Sequence, residues 1–114
     1  MPSLEIKSYS VRLTKCRDWK FSPDAKNLDF DEWIFCRGIN NQTIRIFFIK
    51  GEVPKSFITR EEHWYTFLHR DQYAYALDLL RNESPVMISV DTDNGRLNLY
   101  CGLEPVGEGP GEFT

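Results

Sequence analysis

The chain has no apolar run approaching the ~20 residues that a membrane-spanning helix needs. It has three cysteines, Cys16, Cys36 and Cys101. The count is odd and no CxxC spacing occurs, so neither a disulfide framework nor a zinc knuckle is expected, and free thiols suit a reducing compartment. The opening MPSLEIKSYS carries no basic stretch followed by an apolar one; no secretory leader is expected, and the chain reads as cytoplasmic. There are only two histidines, His63 and His69. Six apart, they miss the i, i+4 spacing of a zinc pair on a helix.

Catalytic signatures are equally scarce. GxSxG, HExxH and a phosphate-cradling glycine loop are all missing from the sequence. The cysteines sit in strand-like patterns, where they serve as small core residues. Asp91–Thr92–Asp93–Asn94–Gly95 has the look of a calcium loop, yet it lacks the sixth-position glycine and the later bidentate glutamate. Asp24, Asp29, Asp31 and Glu32 form an acidic group flanked by Phe30 and Trp33, which reads as a solvated loop anchored by aromatics. No enzyme, cofactor or metal is expected.

What remains is substantial. In 114 residues, 41% are hydrophobic and 14% aromatic, enough for a folded core without disulfides or metal. Charge is split along the chain: residues 1–60 hold eleven Lys/Arg against seven Asp/Glu, and residues 61–114 hold three against ten. The net charge of −3 thus hides a basic first half and an acidic second half, a division that can steer an anionic partner to one face.

Residues 4–21 read as one long strand whose apolar phase moves from Leu4 and Ile6 to Tyr9, Val11 and Leu13. A period of two changes phase only through an extra residue, which places a β-bulge near Lys7–Ser8. Residues 22–31 read as a loop. Residues 32–38 and 43–50 are β-rich and joined by Ile39–Asn40–Asn41–Gln42, a hairpin. Gly51–Glu52–Val53–Pro54 ends that sheet segment. Thr59–Arg60–Glu61–Glu62 fits a capping box, predicting a helix over 59–82 with a joint at His69–Asp71. Residues 86–92 and 96–103 alternate cleanly around the turn Asp93–Asn94–Gly95. A single domain over 1–105 is expected, followed by a flexible, acidic, glycine-rich tail over 106–114.

The order of bulged strand, hairpin, helix and hairpin resembles the OB-fold over residues 4–104. The resemblance implies an α+β, mainly β fold: a small five-stranded antiparallel barrel, or half-open sheet, with one kinked helix between strands 3 and 4. It also implies binding of oligonucleotides, oligosaccharides or proteins on strands 2–3.

Strand alternation points to particular residues for that surface. Ile34 and Cys36 fall on one side of strand 2, and Ile44, Ile46 and Phe48 on one side of strand 3. If these aliphatic sides face the core, Trp33, Phe35, Arg37, Arg45 and Phe47 share the other face. Such a set suits a protein interface, since interface cores favour aromatics and arginine. It also suits single-stranded nucleic acid, with rings stacking on bases and guanidiniums meeting phosphates. The acidic composition favours the protein partner, or self-association, as the leading expectation; the nucleic acid is the alternative. Burial of the face under the helix is the bland outcome.

Overall fold

A computed structural model of the protein describes residues 2–20 and 22–102. Seven strands make one sheet: β1 (Ser3–Trp19), β2 (Leu28–Gly38), β3 (Thr43–Lys50), β4 (Phe57–Ile58), β5 (His63–His69), β6 (Val86–Asp91) and β7 (Arg96–Cys101). A 3-10 turn at Arg70–Gln72 leads from β5 into the helix α1 (Tyr73–Asn82). The strand order is β4-β5-β3-β2-β1-β6-β7. All neighbours are antiparallel except β3 and β5, which run parallel. The sheet curls into a half-barrel, so that the Ser56 N–H donates to the Gly95 carbonyl at 2.9 Å across its two ends.

The expected bulge is present: the β1–β2 register shifts between Ile6 and Ser8. Ahead of the shift Leu4 and Ile6 are buried, whereas beyond it Tyr9, Val11 and Leu13 are exposed. Both hairpins form where expected. Asn41, in the first turn, adopts a left-handed φ of 64°, a geometry asparagine tolerates better than most residues.

The helix over 59–82 is corrected. Residues 63–69 are a strand, and only Tyr73–Asn82 are α-helical. The run His63–Trp64–Tyr65–Thr66–Phe67 is aromatic and β-branched, which suits a pleated surface more than a helix. The supposed capping box is a tight turn joining β4 to β5. Its Thr59 hydroxyl accepts from the His63 N–H at 3.1 Å, the Glu62 N–H donates to the Thr59 carbonyl, and Glu62 sits at φ 64°. The joint at His69–Asp71 survives as the place where strand gives way to helix, with the His69 ring accepting from the Asp71 N–H at 3.2 Å.

Three further expectations change. The sheet has seven strands rather than five, with the helix after the fifth, and one strand pair is parallel. The loop over 22–31 is shorter, because β2 begins at Leu28 and pairs back to β1 and β3. The first strand stops at Trp19. The tail over 106–114 lies outside the described residues. No helix among the described residues is long and apolar enough to cross a membrane.

The sheet separates two apolar clusters. Inside the curl lie Ile34, Cys36, Ile44, Ile46, Phe48, Trp64, Ile88 and Val90, all buried, and α1 closes over them with Ala76, Tyr73 and Leu80. Tyr73 meets Phe48 edge-on at 5.1 Å. The opposite face carries a second cluster centred on Leu28, Phe30, Phe47, Ile49 and Phe67.

Candidate functional site

On the outer face, strand register sets side chains in rows. Ser10, Phe35, Arg45 and Tyr65 are successive cross-strand partners, as are Arg12, Trp33, Phe47 and Phe67. Cross-strand partners project to the same side of a sheet. The structure therefore brings Trp33, Phe35, Arg37, Arg45 and Phe47 onto one surface. It places α1 against the other face, so the helix leaves this one uncovered.

The five do not play one part. Phe47 is 4% exposed and fixed among rings: Trp33 stacks on it at 5.4 Å, Phe67 at 5.7 Å on the next strand, and Trp19 and Phe30 meet it at 5.3 and 5.1 Å. It is floor rather than contact surface. Trp33 and Phe35 are half-buried and meet edge to face at 6.4 Å. The Trp33 indole N–H donates to the Thr14 hydroxyl at 3.1 Å, which orients the ring.

Three guanidiniums converge above this layer. Arg12, Arg37 and Arg45 lie 5.5, 5.4 and 5.5 Å from the Phe35 ring centroid. Arg12 also covers Trp33 at 5.5 Å, and Arg45 covers Tyr65 at 5.1 Å. Each such contact is worth ~0.5–1 kcal/mol at exposed sites. None of the three arginines pairs with a carboxylate among the described residues. Sharing one ring, they lie within a span comparable to the screening length of about 8 Å at physiological salt, so their fields partly add. Elsewhere on the sheet, Arg17 and Lys50 share one carboxylate. Asp31 binds both Lys50 at 2.7 Å and Arg17 at 3.0 Å, and these hydrogen bonds, Lys50 first, hold its carboxyl below the usual range.

Beside the arginines is a depression of about 320 Å³ lined by Thr14, Cys16, Trp19, Phe30, Trp33 and Tyr65 among others. The combination is an apolar aromatic floor with a cationic rim that no described carboxylate neutralises. It can seat an apolar group and hold an anionic one next to it.

Sequence reasoning missed Arg12, Trp19, Tyr65 and Phe67. The capping-box reading places Tyr65 and Phe67 on a helix, although their alternation with Trp64, Thr66 and Leu68 is strand-like. Arg12 needed the β1–β2 register beyond the bulge, which only pairing reveals. His63 and His69 sit at opposite ends of β5, and Cys36 is buried in the inner core. Among the described residues, no group of three or more His, Cys, Asp or Glu side chains is placed to hold a metal ion.

Fold and site thus define a mainly β protein, a curled sheet with one helix inside and an arginine-rimmed aromatic surface outside. No protein-family model matches the chain, and neither curated proteins nor solved structures give a significant match.

Proposed function

We propose that this chain is a non-enzymatic protein-interaction or assembly module whose outer face docks an acidic segment carrying an apolar anchor. One observation carries the reading: Arg12, Arg37 and Arg45 gather over Phe35, without carboxylate partners among the described residues, beside the aromatic depression. Aromatic and arginine side chains dominate binding energy where they line a desolvated pocket. An acidic partner would supply the counter-charge that no described residue provides. Free thiols at Cys16, Cys36 and Cys101 support placing the module in the cytoplasm.

Single-stranded nucleic acid is the alternative, favoured by guanidiniums lying next to rings on an open sheet. The ring faces weigh against it. Trp33 is stacked on Phe47 and capped by Arg12, and Phe35 is shared by three guanidiniums, so a base must displace cations before it can stack.

Fluorescence anisotropy with two labelled probes separates these readings: an acidic peptide with a central phenylalanine, and an oligothymidine. The peptide is expected to bind and to weaken in Arg37→Ala and Arg45→Ala. Binding of the oligonucleotide alone, falling steeply between about 50 and about 200 mM salt, would replace the protein reading. Sedimentation at several concentrations tests whether the partner is another copy.

A further inference from the structure

β1 runs from Ser3 to Trp19, but β6 covers its second edge only from Ser3 to Ile6. From Ser8 to Leu13 the strand pairs residue for residue with β2 on one side. On the other side it pairs with no described residue. In an antiparallel ladder alternate residues send their N–H and C=O groups to opposite edges. Half of those of Ser8–Leu13 therefore have no strand partner among the described residues. Where β6 stops, an indentation of about 360 Å³ opens, lined by Ile6, Lys7, Tyr9, Leu80, Glu83 and Val86 among others.

The two faces of this edge differ in chemistry. Ser8, Ser10 and Arg12 stand opposite Arg37, Phe35 and Trp33, on the arginine face. Tyr9, Val11 and Leu13 stand opposite Cys36, Ile34 and Glu32, on the inner face, and are 37%, 40% and 79% exposed. A strand laid along this edge meets cations on one side and bare apolar groups on the other.

We propose that Ser8–Leu13 accepts an added strand from a protein partner, an extended segment whose residues alternate between acidic and apolar. Main-chain hydrogen bonds would supply affinity and the alternating side chains specificity, as in other strand additions. A second copy of β1 is the poorer occupant. Lys7–Lys20 holds five Lys/Arg against Asp18, and pairing two such runs sets like charges together. Flanking register shifts and these cations discourage self-pairing, the usual hazard of an open edge. The same cations select an acidic strand. The edge adjoins the docking face through Arg12 but needs neither its depression nor Arg45, so the inference goes beyond that face.

The test uses a labelled peptide of about seven residues, an ordinary strand length, alternating glutamate and valine. Two further versions are N-methylated at every glutamate or at every valine. Anisotropy is expected to show binding by the parent and by one methylated version only, because only one set of N–H groups faces β1. At ten times its Kd the peptide should slow amide exchange of alternate residues within Ser8–Leu13 about elevenfold by mass action. Arg45→Ala, which weakens the outer face, should leave this protection in place, so the two proposals fail separately. Four results would each overturn the inference: absence of binding, equal binding of a lysine–valine peptide, equal binding of both methylated versions, or protection that appears without peptide and grows with protein concentration. The last would assign the edge to a second copy.

Discussion

Truncating Phe47 to alanine tests whether the aromatic layer is a packed second core or only a surface decoration. Phe47 is 4% exposed and has rings at 5.1 to 5.7 Å from Phe30, Trp19, Trp33 and Phe67. A buried Phe→Ala change costs ~3–5 kcal/mol, and aromatic pairs add ~0.5–1.5 kcal/mol each beyond area burial. Four ring neighbours put the expected loss in the upper half of that range, about 4 kcal/mol. A domain has only ~5–15 kcal/mol in total, so a quarter or more of the margin disappears. At roughly 4 °C per kcal/mol for a chain of this size, the melting temperature should fall by about 15 °C. Phe35, half-buried and covered mainly by guanidiniums, serves as the internal comparison, with an expected loss of about 1.5–3 kcal/mol for Phe35→Ala from three cation contacts. Urea unfolding followed by circular dichroism measures both. Equal losses at the two positions, or a Phe47→Ala loss below about 1 kcal/mol, would refute the division into buried floor and exposed rim.

Gly95 sits at φ 72°, and a Cβ there would come within 2.7 Å of the Lys55 Cα, where the two ends of the curl meet. Gly95→Ala is expected to destabilise by about 1–3 kcal/mol, and wild-type stability in thermal melts would contradict the closure. Glu62 pays the left-handed penalty without a glycine's freedom, so Glu62→Gly should be neutral or stabilising by up to about 1 kcal/mol; a loss above that would show that its side chain matters to the turn. Burial pushes the Cys36 thiol up to about 12 from an ordinary 9.0. Alkylation of the native protein at mildly basic pH should therefore spare Cys36 while reaching the partly exposed Cys16 and Cys101. Because only the unfolded chain ionises this thiol between those two values, its contribution to stability is unchanged below the lower one and declines as pH rises above it. Native labelling of Cys36 at the rate of the other two would overturn its burial.

Much of the sheet was legible because alternation and turn chemistry are local. The phase change at Ile6–Ser8, the Asn41 turn and the Asp93–Asn94–Gly95 turn each state their geometry within a few residues. Opposition of Ile34 and Cys36 to Trp33 and Phe35 likewise followed from a period of two. What failed was non-local. Thr59–Glu62 has the composition of a helix start, and only pairing of His63–His69 along β3 makes it a hairpin turn, with a parallel partner that no local signal announces. That single misassignment removed Tyr65 and Phe67 from the outer face. The acidic group at Asp29–Glu32 has the composition of a solvated loop, whereas Arg17 and Lys50 neutralise Asp31 within the sheet.

The three tryptophans offer the most direct measurement. Trp33 and Trp19 belong to the outer aromatic layer, and Trp64 is buried in the inner core on the opposite side of the sheet. In a ¹H–¹⁵N spectrum each indole N–H gives its own signal, and that of Trp33 is tied to Thr14. On titration with the acidic phenylalanine-bearing peptide, the Trp33 and Trp19 signals should move together and saturate with one Kd, leaving Trp64 in place. A titration that shifts Trp64 instead, or leaves all three unmoved while oligothymidine shifts Trp33, would contradict the reading of this face as a protein-docking surface.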